Sequence, residues 1–489
     1  LINIEMENNH TDVIIIGAGI SGIAAAYNLK KSCPNKSFLL LEGRSSIGGT
    51  WDLFQYPGIR SDSDMCTMGY RFKPWVGRKV VADGPSILQY LKDIVTENSI
   101  DQYIRFNRMV DSVSWSKENK QWSLSINANN DYPADSLTCD FILFCGGYYN
   151  YDQGYKPAFP GEEDFKGEII HPQQWPSNLD YKNKKVVVIG SGATAVTIIP
   201  SMADDTDHIT MLQRSPTYYI IGPKEDPLGN FFRKYTTDRL AYIIVRWKNI
   251  LFSQWFFFNQ ARARPKKVKA WLISEIKNKL KPDYDVDKHF TPQYNPWDQR
   301  ICLVPGGDFF NAINEDKASV VTDQIERFTE NGITLKSGEK LDADIIITAT
   351  GLNMEVAGDM KIIVDGNDLD ISSKMFYKSM MIADVPNMIV TFGYTNASWT
   401  LKADLTAEYT CRLINYIDTK GFDYCMAITD ETVEEKGVWL DFTSGYVERA
   451  KHKFPKQGAR APWTNTQQYL SDLLALRYGK IKDKDLKFF

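Results

Sequence analysis

A chain of 489 residues exceeds one ordinary domain, so two or three units are expected. With 43% apolar and 24% charged residues, the composition is that of a globular protein, not a disordered or fibrous one. The net charge of -4 excludes the strong positive field that a nucleic-acid partner requires.

In chain order, the opening LINIEMENNH is too short and too acidic for a signal peptide and reads as a frayed extension. The first patterned segment is TDVIIIGAGISGIAAAYNL. The apolar run Val13–Ile16 has the character of a buried parallel strand, and Gly17, Gly19 and Gly22 follow it as GxGxxG before an alanine-rich helix. The three glycines supply a tight turn, close approach of backbone to a pyrophosphate, and close helix-on-strand packing. The free N–H groups of the helix start, with Ser21 among them, suit the phosphate charge. A second strand, SFLLLE, ends at Glu42, twenty positions after Gly22, where a carboxylate accepts from both ribose hydroxyls of an adenosine. CDFILFCGGYY (Cys139–Tyr149) reads as a later strand of the same sheet.

KKVVVIGSGATAVTIIPSM repeats the arrangement about 170 residues on. Strand Val186–Ile189 leads to Gly190, Gly192 and Ala195, with Ser191 and Thr194 between them in the same loop. The strand after it, HITMLQRSPTY, ends in Gln213, Arg214 and Ser215, where the first unit has Glu42. A guanidinium there binds a ribose 2′-phosphate that a carboxylate would repel. FAD is therefore expected in the first site and NADPH in the second. ADIIITATGLN (Ala343–Asn353) reads as the strand that closes the second sheet. The loop and long helix from Phe392 are expected to point their positive dipole end at the flavin pyrimidine. The fold class is α/β, with two Rossmann-type dinucleotide-binding domains and a helical insertion. The expected boundaries are 10–150 with 390–489 for FAD, 151–219 with 331–389 for NADPH, and 220–330 for the insertion. Within the insertion, 243–273 mixes aromatics with a basic cluster. It reads first as a helix packed on its own domain with a solvated basic end; the alternative is an amphipathic helix on an anionic membrane.

No apolar run reaches the roughly 18 residues of a spanning helix. The seven cysteines are scattered, with no CxxC and no metal-ligand spacing. A reduced, cytoplasmic chain without a metal is expected. A dithiol flavin reductase, which also carries two such loops, is disfavoured because only Cys139 and Cys145 lie within ten residues of each other.

FKGEIIHPQQWP (Phe165–Pro176) matches the FxGxxxHxxxWP fingerprint of the type I Baeyer–Villiger monooxygenases, and sits between the two glycine loops as it does in that family. GGTWDLFQYPGIRSDSDM, IGSGATAVT, LQRSPTY, NPWDQRICLVP and ATGLN also resemble the family, and GYTNASWTLKADL resembles its ethionamide-activating subgroup. The resemblance runs from about Asp12 to the C-terminus. It implies a class B flavoprotein monooxygenase in which NADPH reduces FAD and a C4a-peroxyflavin inserts oxygen beside a ketone carbonyl, giving an ester or lactone. S-oxygenation of thioethers or thioamides is the implied second activity. The substrates are then dioxygen and a small ketone, sulfide or thioamide.

By the same resemblance, Arg300 in DQR is the cation at the reacting centre and Asp62 orients it. His171 couples NADPH binding to domain movement, an office that suits an imidazole hydrogen-bonded at both edges. Gly49, Thr50 and Trp51 lie by the flavin ring and ribityl chain, Arg60 and Ser61 by the nicotinamide end, and Val110 offers its backbone to adenine. Many members carry a lysine before the arginine, and here Gln299 stands instead, so a smaller NADPH preference is expected. Read from the residues alone, Arg300 near Asp298 is a plain ion pair. Two rival functions remain at this stage: an N-hydroxylating or general flavin monooxygenase acting on soft N and S nucleophiles, and a non-catalytic FAD/NADPH redox-sensing module.

Overall fold

The apolar runs before the two glycine loops become central strands of two separate sheets. The structure, a computed structural model, describes residues 9–128, 133–430, 432–440 and 442–489; residues 1–8, with the expected frayed extension, lie outside it. In the first sheet, His10–Ile16 pairs in parallel with Phe38–Leu41 on one side and Asp135–Phe144 on the other. Alternation along the strand serves two cores. Val13 and Ile15 pack with the helices Ile20–Ser32 and Trp399–Lys420, whereas Ile14 joins a core built on Trp115 and Trp122. The long strand Asp135–Phe144 also turns into an antiparallel meander with Gln121–Ile126 and Val110–Ser116.

The second sheet is parallel throughout, in the order Ala318–Thr322, His208–Gln213, Lys185–Ile189, Ile345–Thr348, Glu168–Ile170. It shows the same two-faced burial: Val186 and Val188 join one core, Val187 and Ile189 the other.

Two expected boundaries move. Lys361–Val364 pairs with Val110–Ser116, and Met388–Val390 pairs with Asp135–Phe144, so both belong to the first sheet, not to the second unit that was expected to run to 389. The chain crosses back soon after Thr348. KIIV and MIV are as apolar as any strand of either sheet, and composition alone does not say which sheet a strand joins. Likewise Ala318–Thr322 is an edge strand of the second sheet and Cys302–Pro305 pairs with Tyr219–Gly222, although both fall inside the expected insertion. What remains as insertion is helical: Pro227–Tyr235, Asp238–Lys248, a π-helical stretch Asn249–Phe256, Phe257–Ala263 and Pro265–Lys279. Arg246 fastens it to the first unit. This buried guanidinium donates to Cys66 O (2.7 Å) and Gly69 O (2.8 Å), at the C-terminal end of the short helix Met65–Met68.

Candidate active site

The glycines divide as their spacing predicts. Gly17 has φ +101°, and a Cβ there would lie 2.8 Å from Cys145 O; Gly190 has φ +133° and meets Ala349 O at 2.3 Å. Both are turns that only glycine makes. A Cβ on Gly22 would lie 1.9 Å from Gly17 O, while Ala195, its counterpart, is fully buried with room for its methyl. Gly19 and Gly192 are N-caps whose helices Ile20–Ser32 and Ala193–Met202 start without a side-chain cap. The helix Trp399–Lys420 also starts uncapped, because Ser398 spends its hydroxyl on Thr67 Oγ1 (2.6 Å). Three helices thus present free N–H groups to one region, each suited to negative charge.

That region is a cavity of about 250 Å³. Gly19, Ser21, Gly49, Thr50 and Trp51 line one side, and Arg60, Ser61 and Asp62 follow from the same unit. Thr194 comes from the second loop and Arg300 from the turn before Cys302. The helix start at Trp399 closes the wall; its indole N–H donates to Ser21 Oγ at 2.7 Å, pinning two helix N-termini together.

Arg300 Nη1 lies 3.1 Å from Asp62 Oδ2. Asp298 pairs instead with Arg262 (3.1 Å), so the local DxR pair suggested by the residues alone is not formed. Some 31% of the Arg300 side chain stays accessible, and it lines the cavity. The Asp62 charge, with Tyr148, Tyr446 and Tyr149 nearby, holds its pKa well above the usual arginine range, so the guanidinium is cationic at every working pH. Burial pushes the three phenols up as well, so they are neutral donors; the Tyr148 and Tyr149 hydroxyls are 2.5 Å apart. Tyr148 stacks on Trp399 with ring centroids 5.0 Å apart.

Other expected site residues take different places. Glu42 is buried at the end of its strand; Oε2 accepts from Ala18 N (2.8 Å) and Oε1 from Arg44 N (3.0 Å). Val110 opens its strand next to this corner, where Arg108 N donates to Glu42 O (2.9 Å). Ser191 Oγ lies 2.8 Å from Thr217 Oγ1 and donates to Ser215 O (3.3 Å), forming the rim of the second loop. Arg214 and Ser215 are exposed, and the Arg214 side chain forms no ion pair among the described residues. Gln213 points the other way: it is buried, and its amide donates to His289 O (2.7 Å) and Thr322 Oγ1 (2.9 Å). Ser61 is equally occupied, its N–H donating to Ala82 O (2.9 Å) and its Oγ accepting from Ala82 N (3.2 Å). Arg60 lines the cavity but spends its guanidinium on Asp308 of the second unit, at 2.5 and 3.4 Å.

His171 lies outside the cavity wall. Its Nδ1 accepts from Gln173 N (3.2 Å), and its Nε2 lies 3.1 Å from Gly351 O. A carbonyl only accepts, so Nε2 carries the proton and the ring is neutral. Partial burial holds its pKa below the usual imidazole range. Gly351 belongs to a crossing between the units, where Asn150 N donates to Asn353 O, Tyr155 N to Gly351 O and Glu355 N to Tyr148 O. The imidazole therefore ties the second sheet to this crossing, and Trp175 packs against the second unit's core. Gly154 is forced by the same contact, since a Cβ there would sit 1.9 Å from His171 Cε1.

Tyr148, Tyr149 and Trp399 are among the wall residues that were not expected as site residues, although their segments were read as a strand with its glycine turn and as a helix start. Tyr148 and Tyr149 follow the glycine turn at the carboxyl end of Asp135–Phe144, and ligands of open α/β sheets bind at carboxyl strand ends.

Comparison with known proteins agrees with this arrangement. Residues 79–414 match the flavin-binding monooxygenase-like family, and residues 15–71 match an NAD(P)-binding Rossmann-like domain. The FAD-containing monooxygenase EthA of Mycobacterium tuberculosis is 52% identical over 480 residues, covering 98% of each chain. A probable FAD-binding monooxygenase, AlmA, of Acinetobacter sp is 50% identical over 98% of this chain and 96% of its own. Among solved structures, an oxidized steroid monooxygenase bound to NADP superposes with a TM-score of 0.78 at 21% identity, covering 98% of this chain and 99% of that one. A cyclohexanone monooxygenase bound to epsilon-caprolactone superposes with a TM-score of 0.74 at 19% identity, covering 98% and 100%. Two glycine loops converging on one arginine-lined cavity, together with this likeness over nearly the whole length, place the chain in the flavin-binding monooxygenase-like family.

Proposed function

We propose that this chain is an FAD- and NADPH-dependent monooxygenase that converts ketones to esters or lactones, with oxygenation of thioethers or thioamides as a second activity. One oxygen atom of dioxygen enters the substrate; the other leaves as water, with NADPH as the two-electron donor. Gly17, Gly19, Gly22 and Glu42 would hold FAD, and the cradle has the turn, the uncapped helix start and the buried carboxylate that a dinucleotide needs. Gly190, Gly192, Ser191 and Arg214 would hold NADPH. Bound there, FAD supplies the oxygen activation that no side chain of the cavity can.

The observation that carries the reading is the Arg300–Asp62 pair in the cavity wall between the two loops. Oxygen insertion beside a carbonyl builds negative charge on oxygen, and a fixed cation stabilises it without reorganising. Asp62 fixes the direction of the guanidinium, while the neutral phenols of Tyr148 and Tyr149 fill the space beside it without competing for that charge. Trp399 and Tyr148 give the same wall apolar surface, which suits a site that works best with little water. His171 works at a distance, holding the crossing between the two units in register.

The test supplies NADPH and dioxygen with a panel of linear, cyclic and aromatic ketones plus one thioether, and identifies products by mass spectrometry. Esters or lactones from wild-type protein, with a loss of about a thousandfold in Arg300→Ala, are expected. Ketone oxygenation that survives Arg300→Ala overturns the mechanism. Product from the thioether alone makes the chain an oxygenase of soft nucleophiles. NADPH oxidation that no substrate accelerates makes it a redox sensor.

A further inference from the structure

Helices Pro227–Tyr235 and Asp238–Lys248 each carry an apolar row on the outside of the molecule. Leu228, Phe231 and Tyr235 are spaced i, i+3, i+7 on the first, and Leu240, Ile243 and Trp247 repeat that spacing on the second. Such spacing marks one helix face, normally the one turned to a core. Here both rows are exposed, and the π-helical stretch continues them with Phe252 at 65% and Trp255 at 44% exposure. Eleven of the sixteen large hydrophobic side chains exposed among the described residues lie between 228 and 271. An apolar concentration of this kind marks an interaction surface.

Charge separates the candidate occupants. Residues 227–281 hold thirteen Lys and Arg against two Asp and Glu, in a chain whose net charge is -4. Arg239, Lys266 and Lys267 are exposed and form no ion pair among the described residues. Six of the thirteen are buried or paired with carboxylates, and the rest leave the face net positive, so a symmetric dimer through it would set like charges against each other. A bilayer with acidic headgroups receives both the aromatic rows and the cations, as an interfacial amphipathic surface does. No helix of the described residues is long and apolar enough to cross a membrane, so such docking is peripheral.

The surface also adjoins the catalytic region. A crevice lined by Ile250, Gln254, Trp255 and Asn396 has Ala397 in its wall, and Ala397 is a wall residue of the central cavity too. Gln254 Oε1 and Asn396 Oδ1 are buried without a hydrogen-bond partner among the described residues, where the π-helical stretch meets that loop. π-helical turns recur at functional sites.

We propose that residues 227–271 dock peripherally on an anionic lipid bilayer, which sets the crevice beside Trp255 near the docked face. The docking itself does not depend on which substrate the cavity takes.

The experiment is co-sedimentation of the holoprotein with vesicles of phosphatidylcholine alone and of phosphatidylcholine with about one third phosphatidylglycerol. Sedimentation with the acidic vesicles only, reversed by raising the salt, is expected. Trp247→Ser/Phe252→Ser and, separately, Lys266→Gln/Lys267→Gln should each weaken that binding by about tenfold or more while leaving the melting temperature unchanged. Protein that stays in the supernatant with both vesicles overturns the proposal, as does equal, salt-insensitive binding to both. A dimer seen by light scattering that the Trp247→Ser/Phe252→Ser change abolishes, without vesicle binding by wild-type protein, assigns the face to a second copy instead.

Discussion

The two glycine loops share a backbone plan and differ in how finished they are. The first is closed. Its acidic anchor Glu42 is buried and already bound by two backbone N–H groups, and Gly19 faces Gly49, whose Cα would lie 3.6 Å from an added Cβ. The second is open. A Cβ on Gly192 would meet no heavy atom within 4 Å, and its cation Arg214 stands exposed. A site preorganised in the protein interior suits a resident cofactor, since little ordering remains to be done on binding. A site with its charged anchor in solvent suits a reagent that arrives and leaves.

The sharpest break of this contrast comes from parallel glycine substitutions. Gly17→Ala places a side chain at φ +101° against Cys145 O, so purified protein should lose roughly nine-tenths of its bound flavin absorbance. Gly192→Ala, at φ -79° in open space, should keep its flavin and melt as wild type, with only the KM for NADPH raised. Equal flavin loss in both would erase the distinction between the loops. Next in size, Arg214→Ala should raise the KM for NADPH about tenfold and leave that for NADH within a factor of two. If both cofactors weaken together, Arg214 does not read the 2′-phosphate.

A smaller effect concerns the tie between the units. Because the folded pKa of His171 lies below its ordinary value near 6.5, the neutral ring stabilises the fold above that pH. The contribution is lost as pH falls through the lower folded value, when the proton on Nδ1 displaces the bond from Gln173 N. Thermal melts from pH 8 to pH 5 should show this acid loss in wild type and a flatter profile in His171→Gln, which should also turn over severalfold more slowly at pH 8. The smallest change expected is in Gln299→Lys, a gain of about two- to fivefold in the preference for NADPH, read from paired steady-state assays.

The nucleotide loops were legible because their chemistry is local: strand, glycines and anchor lie within about 30 residues of one another. Arg300 and its partner Asp62 were both expected by family likeness, not from the local spacing. Spacing favours Asp298, two positions away, and only the fold brings Asp62 to the guanidinium. Gln213 was misplaced for a reason the strand pattern already held. Met211 and Leu212 show that both faces of this strand are buried, so its last side chain falls inside, where the Gln213 amide is taken by His289 and Thr322, and Arg214 lies beyond the strand end. The returning strands Lys361–Val364 and Met388–Val390 were assigned to the wrong unit because pairing partners are set by packing across the whole chain.

Those returning strands fix an order of events during synthesis. The first sheet begins with residue 10 and gains its last paired strand only at residue 390, after every strand of the second sheet has been made. On the ribosome the second unit can therefore complete itself while the earlier one still lacks three of its strands. A flavin held by the first loop, as proposed above, would then be the last component to find a finished home.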